Sequence, residues 1–318
     1  MPPRRVIGID AGGTKLLGGV VDEQLVVHHR VHRSWRGADR SETLDTFVEA
    51  VEEVRAAAPD VEAVGFGIPS LIDPDTGVSL WSNHLPLDDV PFRDLMSERL
   101  GLAVHVDNDA NLALLAEARR GAARRARHAL MLALGTGIGG GILIDGRVYR
   151  GAGGTAGELG HLVVDTDGAE CPGDCPGRGC LEVAASGSTI GLEGEQAGRE
   201  EPESALGRRL AAGGEISGQF VTELAHSGDP AAMAVLESVG RRLGAGLTGL
   251  VNAFNPEVVV VGGGAVAAGE LLLGPARAVV AERALPPSRD AVRIVPAHFG
   301  DESGMVGAAL FALAGGQG

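Results

Sequence analysis

The feature that most constrains the fold is a pattern that occurs twice in the chain. Residues 6–22 begin with an apolar run, pass through a Gly/Thr turn and end in a second apolar run, and residues 130–146 repeat that order. Apolar runs joined by a glycine turn predict a buried β-hairpin. Two such hairpins indicate a duplicated α/β fold, with one copy in each of two domains and a cleft between them.

The periodicity of apolar residues predicts the other elements. Predicted strands are 6–10, 16–21, 25–31, 61–68, 103–106, 129–134, 141–144, 258–261 and 294–295. Predicted helices are 42–57, 92–100, 111–121, 229–254 and 303–314, whereas 71–83 and 150–182 are expected to be irregular and 187–218 are assigned no element. Arginines cluster at 119–127, where the pattern resets. We therefore expect an N-terminal domain over 1–122 and a C-terminal domain over 123–302, with the helix in 303–318 packing back on the first.

Length, charge and cysteine content limit the function. A chain of 318 residues suits two domains of about 150 residues each. The net charge of −15 argues against binding to nucleic acid or to an anionic membrane surface. We find neither a secretory signal pattern nor an apolar run of about 18 residues. The 3 cysteines cannot all pair, which favours the reducing cytoplasm.

The chain has a single lysine, Lys15, and it excludes several classes of enzyme. It is followed by Leu16, so the G-K-[ST] of a Walker A loop does not occur, and no H-R-D loop of a protein kinase is present. An enzyme that uses pyridoxal phosphate would have only this amine for its Schiff base.

Lys15 belongs to the first of three glycine-rich turns that are candidates for binding phosphate or nucleotide. In Asp10-Ala-Gly-Gly-Thr-Lys15 the backbone N–H groups can approach a phosphate closely. Asp10 is placed to hold Mg²⁺ through water. The predicted contacts are Asp10, Gly12, Gly13, Thr14 and Lys15. The alternative is an ordinary hairpin turn.

The other two turns are Gly135-Thr136-Gly137 and Gly262-Gly263-Gly264. The first belongs to a G-x-G-x-x-G run, but a strand follows it instead of the helix that a dinucleotide site requires. We therefore predict a second hairpin that binds phosphate. The second turn follows four valines and precedes a predicted helix, where a nucleoside can lie against bare backbone. Tight packing of strand against helix is its alternative explanation.

Four residues have the spacing of a structural zinc site. His161, Cys171, Cys175 and Cys180 follow the pattern H-x9-C-x3-C-x4-C and offer the nitrogen and sulfur ligands of a tetrahedral Zn²⁺. The alternative is a loop with three thiols that bind nothing.

An acidic run, Asp107-Asn108-Asp109, stands where a predicted strand meets the start of a helix. A carboxylate there can accept a proton from a hydroxyl during phosphoryl transfer. The alternative is that Asp107 or Asp109 only caps the helix. The residues alone leave these two interpretations equal.

Taken together, these motifs resemble the hexokinase–actin–Hsp70 group of phosphotransferases, and within it the ROK family of sugar kinases and repressors, from Val6 to about Gly307. The resemblance implies two α/β domains of the actin/hexokinase (ribonuclease H-like) kind with an interdomain cleft. It also implies ATP with Mg²⁺, a structural Zn²⁺ and a homodimer or higher oligomer. Kinases of this family carry their catalytic aspartate in an N-D-A-N run. That run corresponds to Asp109 as general base, with Asn108 bonded to a sugar hydroxyl.

The remaining sugar contacts are also implied by the resemblance. Glu158, His161 and Glu182 stand in the family's sugar-binding pattern, where the histidine binds zinc through one ring nitrogen and sugar through the other. Ser70 replaces a glycine of the family's G-x-P-G-x-x-D segment, and Asn83 falls where an asparagine commonly contacts the sugar. The cysteine pattern departs from the family's C-x-C spacing at Cys171 and Cys175, so Cys171 is the ligand that the resemblance supports least.

The function that this resemblance implies is phosphorylation of a hexose at its 6-hydroxyl by ATP, with glucose as first candidate. Alternatives are a kinase for fructose, mannose, N-acetylglucosamine or N-acetylmannosamine, and polyphosphate as the donor. A ROK repressor that senses sugar is a further alternative. Repressors carry a helix-turn-helix before the first strand, and we expect none because only nine residues precede Asp10.

Overall fold

The computed structural model describes residues 3–12, 15–34, 39–83 and 85–317. Its strands are β1 (Arg5–Ala11), β2 (Lys15–Asp22), β3 (Val27–Ser34), β4 (Ala63–Ile68), β5 (Leu71–Ile72), β6 (Ser79–Trp81), β7 (Ala103–Asn108), β8 (Ala129–Leu134), β9 (Ile138–Ile144), β10 (Arg147–Val148), β11 (Val258–Gly262) and β12 (Arg293–Pro296). Its helices are α1 (Arg40–Ala56), α2 (Phe92–Leu100), α3 (Asp109–Arg120), α4 (Leu181–Ala185), α5 (Gly187–Glu200), α6 (Ala205–Ala211), α7 (Gly218–His226), α8 (Pro230–Phe254), α9 (Glu270–Arg283), α10 (Ser288–Ala291) and α11 (Ser303–Leu313).

Two five-stranded sheets with matching plans organise the chain. The first has the order β3-β2-β1-β4-β7 and the second the order β10-β9-β8-β11-β12. In the first, β1, β2 and β3 pair antiparallel, and β4 and β7 continue parallel to β1. In the second, β9 and β10 are antiparallel and β11 and β12 are parallel. The predicted duplicated α/β architecture is confirmed.

The chain forms two compact units. Unit 1 comprises 1–131, 141–157 and 297–318, and unit 2 comprises 132–140 and 158–296. The division into domains at about residue 122 that we infer from the arginine cluster stays a prediction. Among the described residues, no helix has both the length and the apolar character needed to cross a membrane.

The core of unit 1 lies on both faces of the first sheet. Phe47 of α1, Phe66 of β4 and Phe92 of α2 meet with ring centroids 5.3–6.0 Å apart. Helix α11 packs on β1, β4 and α3. The apolar stripe predicted for the first helix is seen in the buried side chains of Leu44, Phe47, Val51 and Val54.

Several segments differ from the sequence predictions. The third strand begins at Val27 instead of Leu25, because Leu25 has a left-handed φ of 63° within a turn. In that turn Asp22 Oδ1 accepts the N–H groups of Gln24 and Val26. The segment 71–83 contains a short antiparallel hairpin, β5–β6. Residues 187–218 are largely helical.

Candidate functional site

The junction of β7 and α3 in unit 1 carries the predicted general base. Asn108 caps the helix, since its Oδ1 accepts the N–H groups of Ala110 at 3.0 Å and Asn111 at 3.2 Å. The cap is therefore neither Asp107 nor Asp109. Asp109 is the first residue of α3, half-buried at the positive end of the helix, and its Oδ1 lies 2.8 Å from the N–H of Ala110.

Asp10 lies beside this junction, at the end of β1. A Cβ added to Gly67 would lie 3.3 Å from Asp109 Cα and 3.6 Å from Asp10 Oδ1, and one on Gly304 of α11 would lie 2.4 Å from Asp10 Oδ2. Burial, and next the negative charges of Asp109 and Asp301, raise the pKa of Asp10 well above its ordinary value. A nearby cation would oppose that rise, as a Mg²⁺ held through water would.

Ser70 and Asn83 lie in the same unit as the Asp109 junction. The carbonyl of Ser70 accepts Nδ2 of Asn108 at 3.4 Å, and its buried hydroxyl has no hydrogen-bond partner within the described part of the chain. Asn83 is half-buried. Its neighbour Ser82 donates to the carbonyl of Pro69 at 2.8 Å, which holds the two segments together. Thus four predicted sugar contacts, Ser70, Asn83, Asn108 and Asp109, come from adjoining segments.

The first glycine turn closes the hairpin of β1 and β2. The N–H of Gly12 donates to the carbonyl of Lys15 at 2.8 Å, and the Lys15 side chain is exposed. Gly13 and Thr14, both predicted to bind phosphate, lie outside the described residues.

The second glycine turn, in unit 2, joins β8 to β9. Thr136 is exposed at its tip, and the N–H of Gly135 donates to the carbonyl of Gly137 at 2.9 Å. Since β9 and β10 follow the glycines, a strand stands where a dinucleotide site needs a helix. The predicted order of strand, turn and strand is confirmed, whereas the binding of phosphate by this turn stays a prediction.

The third glycine turn follows β11. A Cβ on Gly263, whose φ is 79°, would lie 2.5 Å from the carbonyl oxygen of Leu134, so packing explains this glycine. Gly262 is buried, whereas Gly264 is exposed and a Cβ there would meet nothing within 4 Å. Of the three, Gly264 offers open backbone to a ligand.

The candidate zinc ligands come together in unit 2. The ligand atoms of His161, Cys171, Cys175 and Cys180 all lie within 4.8 Å of one another. Ligands about 2.3 Å from one tetrahedral ion are up to about 3.8 Å apart, so a small contraction would complete the site. Cys171 takes part despite its unusual spacing, with its Sγ 3.6 Å from His161 Nδ1. The four residues therefore fit a Zn²⁺ ion.

The two other predicted sugar contacts of unit 2 flank this cluster. The exposed Glu158 has Oε2 3.8 Å from Nε2 of His161. The other ring nitrogen, Nδ1, faces the thiol of Cys171. The buried Glu182 accepts the N–H of Ile138 at 2.7 Å through Oε2, and its Oε1 lies 3.8 Å from the Sγ of Cys171. Glu182 thus connects the metal cluster to the second glycine turn.

Burial acts against the charged form of two of the thiols. Burial, and next the neighbouring thiols, raise the pKa of Cys171, and burial also raises the pKa of Cys180. Bound zinc would hold them as thiolates, and its binding energy would then stabilise this loop.

We expect the protein to contain about one zinc ion per chain, and His161→Gln to lose zinc to a chelator far more readily, because only three ligands remain. Metal analysis of the proteins dialysed against a chelator measures the number of zinc ions per chain. His226→Gln, which alters an exposed histidine, is the matched control and should keep its zinc. A full zinc content in His161→Gln would contradict the site.

Two residues near the Asp109 junction, the half-buried Arg150 and the buried Glu117, carry no motif in the sequence. Arg150 bonds Asp107 through two nitrogens, at 2.8 and 2.5 Å. Glu117 of α3 accepts the N–H groups of His298 and Phe299. Arg150 lies 43 residues from Asp107, and Glu117 lies at least 181 residues from these two N–H groups. A sequence pattern covers only neighbouring residues and therefore does not indicate these contacts.

Comparison with known proteins agrees with this architecture. The model of the ROK family matches residues 6–314. The chain belongs to the ROK family. It is 34% identical to a glucokinase of Thermotoga maritima over 97% of each chain. It is 30% identical to a putative xylose repressor of a Caldicellulosiruptor species, over 95% of this chain and 76% of the repressor.

A solved structure is also similar. The ROK family glucokinase of Streptomyces griseus, in complex with glucose and AMPPNP, has a TM-score of 0.90 and 34% identity over 98% of this chain and 99% of its own. The predicted membership of a glucokinase-like family and the predicted fold are confirmed. These relatives also support the prediction that the chain is a sugar kinase.

Proposed function

We propose that the protein transfers the γ-phosphoryl group of ATP to the 6-hydroxyl of a hexose, with glucose as the first candidate. The observation that carries the proposal is Asp109, held at the N-terminus of α3 beside Asn108 and Asp10. The similarity to a glucokinase of known structure with bound glucose and AMPPNP supports it.

In the proposed mechanism Asp109 accepts the proton of the sugar's O6 as this oxygen attacks the γ-phosphorus. A new O6–P bond forms, the bond from the γ-phosphorus to the β,γ-bridging oxygen breaks, and ADP leaves with those electrons. Ser70, Asn83, Asn108, Glu158, His161 and Glu182 are the proposed contacts that orient the sugar.

The glycine turns supply the phosphate contacts. N–H groups of Gly13, Thr14, Thr136 and Gly137, and the amine of Lys15, would donate to phosphate oxygens. Gly12 and Gly135, whose N–H groups bond within their own turns, would let the phosphate approach the backbone closely. Exposed backbone at Gly264, next to Gly262 and Gly263, is the proposed nucleoside contact. Mg²⁺, when bound with ATP near Asp10, would neutralise phosphate charge. Zinc is proposed to be structural and to brace the loop that carries Glu158 and His161.

The test is a panel of sugars with two donors. With ATP, ADP release is measured for glucose, fructose, mannose, N-acetylglucosamine and N-acetylmannosamine, and with polyphosphate the sugar phosphate is measured. We expect the highest kcat/KM for glucose with ATP. A higher value for another sugar would reassign the acceptor, and the absence of turnover with every pair would contradict the proposal.

The repressor relative is the observation that favours a second function, a sugar sensor that binds DNA. A gel-shift assay with the DNA upstream of the protein's own gene, with and without glucose, distinguishes the two. We expect no shift, because the net charge of −15 opposes contact with phosphates. The cytoplasmic location and the homodimer stay predictions, and light scattering measures the latter.

A further inference from the structure

Arg150 is half-buried and all three of its guanidinium nitrogens are engaged. Nε and Nη2 donate to Asp107 Oδ2 at 2.8 and 2.5 Å, and Nη1 donates to the carbonyl of Val148 at 3.3 Å. The guanidinium carbon also lies 5.7 Å from the ring centroid of Phe311. Three of its five N–H groups are thus engaged, and two of these are on Asp107, so we infer that Arg150 acts on the site through Asp107.

Asp107 connects Arg150 to the residues around Asp109. Its other oxygen, Oδ1, accepts the N–H of Asn108 at 2.8 Å and Nδ2 of Asn111 at 3.4 Å. Asn108 in turn caps α3 and bonds Ser70. A continuous set of hydrogen bonds therefore runs from Arg150 to the turn that places Asn108 and Asp109.

Stability alone does not account for an ion pair at this place. Side-chain exposure is only 16% for Arg150 and 6% for Asp107. Removing two charges from water costs about as much as their attraction returns, and apolar pairs often stabilise equally well. What a paired guanidinium adds is orientation, because two N–H groups hold Oδ2 of Asp107 and leave Oδ1 turned toward the N–H of Asn108.

We propose that Arg150 is a positioning residue: through Asp107 it orients Asn108 and Asp109 for the phosphoryl transfer proposed above, on which this inference rests. A displacement of about 1 Å in such a group lowers the rate by about a hundredfold. Loss of Arg150 thus affects kcat more than sugar affinity, because the rate of transfer depends most on the orientation of Asp109 toward the attacking oxygen.

The experiment compares Arg150→Ala, Arg150→Lys and wild type by kcat, KM for glucose and binding of glucose in calorimetry. Arg150→Ala should lose about 10- to 100-fold in kcat per folded molecule, with a smaller rise in KM. Guanidinium at low millimolar concentration should restore part of that loss in Arg150→Ala and nothing in wild type. Arg150→Lys should stay impaired, since an ammonium lacks the paired donors.

Arg147→Ala is the matched control, because this arginine lies three residues before Arg150, is exposed on β10 and should keep the wild-type kcat. If Arg150→Ala does not fold, Arg150→Lys and Asp107→Asn replace it, and their losses should not add in the double variant. A loss of kcat that matches the unfolded fraction, or a wild-type kcat in folded Arg150→Ala, overturns the positioning role alone. Wild-type protein that phosphorylates no sugar overturns the proposed function and this role with it.

Discussion

Asp109→Asn is expected to lower kcat for glucose by about 10²–10⁴-fold, because an amide cannot accept the proton of the attacking hydroxyl. The change should leave the fold intact. Asn108, not Asp109, provides the cap of α3, so the helix keeps its N-terminal hydrogen bonds. An asparagine amide also has nearly the shape of the carboxylate, and glucose binding by calorimetry should therefore change little.

The matched control is Asp94→Asn, which also removes an acidic group from the first turn of a helix, here α2. Its side chain is 75% exposed and its neutralisation should leave kcat unchanged. A kcat for Asp109→Asn within about tenfold of wild type would rule out Asp109 as general base. Loss of glucose binding together with kcat would instead assign it a role in holding the sugar.

The sequence predicted the two hairpins and the Asp109 junction because their signals are local. An apolar run followed by glycines specifies a strand and a turn within a few residues. The same local signal placed Asp107, Asn108 and Asp109 at the start of a helix, but did not tell which of them is the cap. The structure decides this through the backbone of Asn108, which is extended with ψ of 140°.

The helices in 187–218 escaped prediction because glycine has low helix propensity. Packing outweighs that propensity. In α5 a Cβ on Gly194 would lie 2.4 Å from Val221 Cγ2, and one on Gly198 would lie 2.9 Å from the backbone of Leu206. These glycines let α5 approach α6 and α7 closely. A small residue that serves a helix interface cannot be told from a loop residue by propensity alone.

The sequence also did not predict contacts between residues that are far apart along the chain. Glu117 makes the largest number of such hydrogen bonds at the Asp109 helix. It is fully buried on α3, two turns after Asp109. Its carboxylate accepts three N–H groups, from Ala122, His298 and Phe299, and the hydroxyl of Ser303 at 3.0 Å. The sequence offers only an acidic residue in a helix, which would ordinarily be exposed.

Glu117→Leu should lower the free energy of unfolding by about 3–5 kcal/mol, because four donors lose a fully buried, charged acceptor. A urea titration monitored by circular dichroism measures this change in the free energy of unfolding. Glu98→Gln, an exposed change on α2, should have almost no effect. A loss below about 1 kcal/mol would mean that water replaces the carboxylate, since each unsatisfied buried donor costs at least that much.

Glu117→Gln separates stability from function at the same position. The glutamine amide keeps one acceptor oxygen, but its NH₂ group replaces the other and faces donors that it cannot accept. The start of α11 should therefore become less ordered while the protein stays folded. That start holds Gly304, against which the Asp10 carboxylate packs. We therefore expect Glu117→Gln to raise KM for ATP, if Asp10 serves the Mg²⁺ of the nucleotide. An unchanged KM for ATP in a destabilised Glu117→Gln would show that Glu117 holds the fold without shaping the nucleotide site.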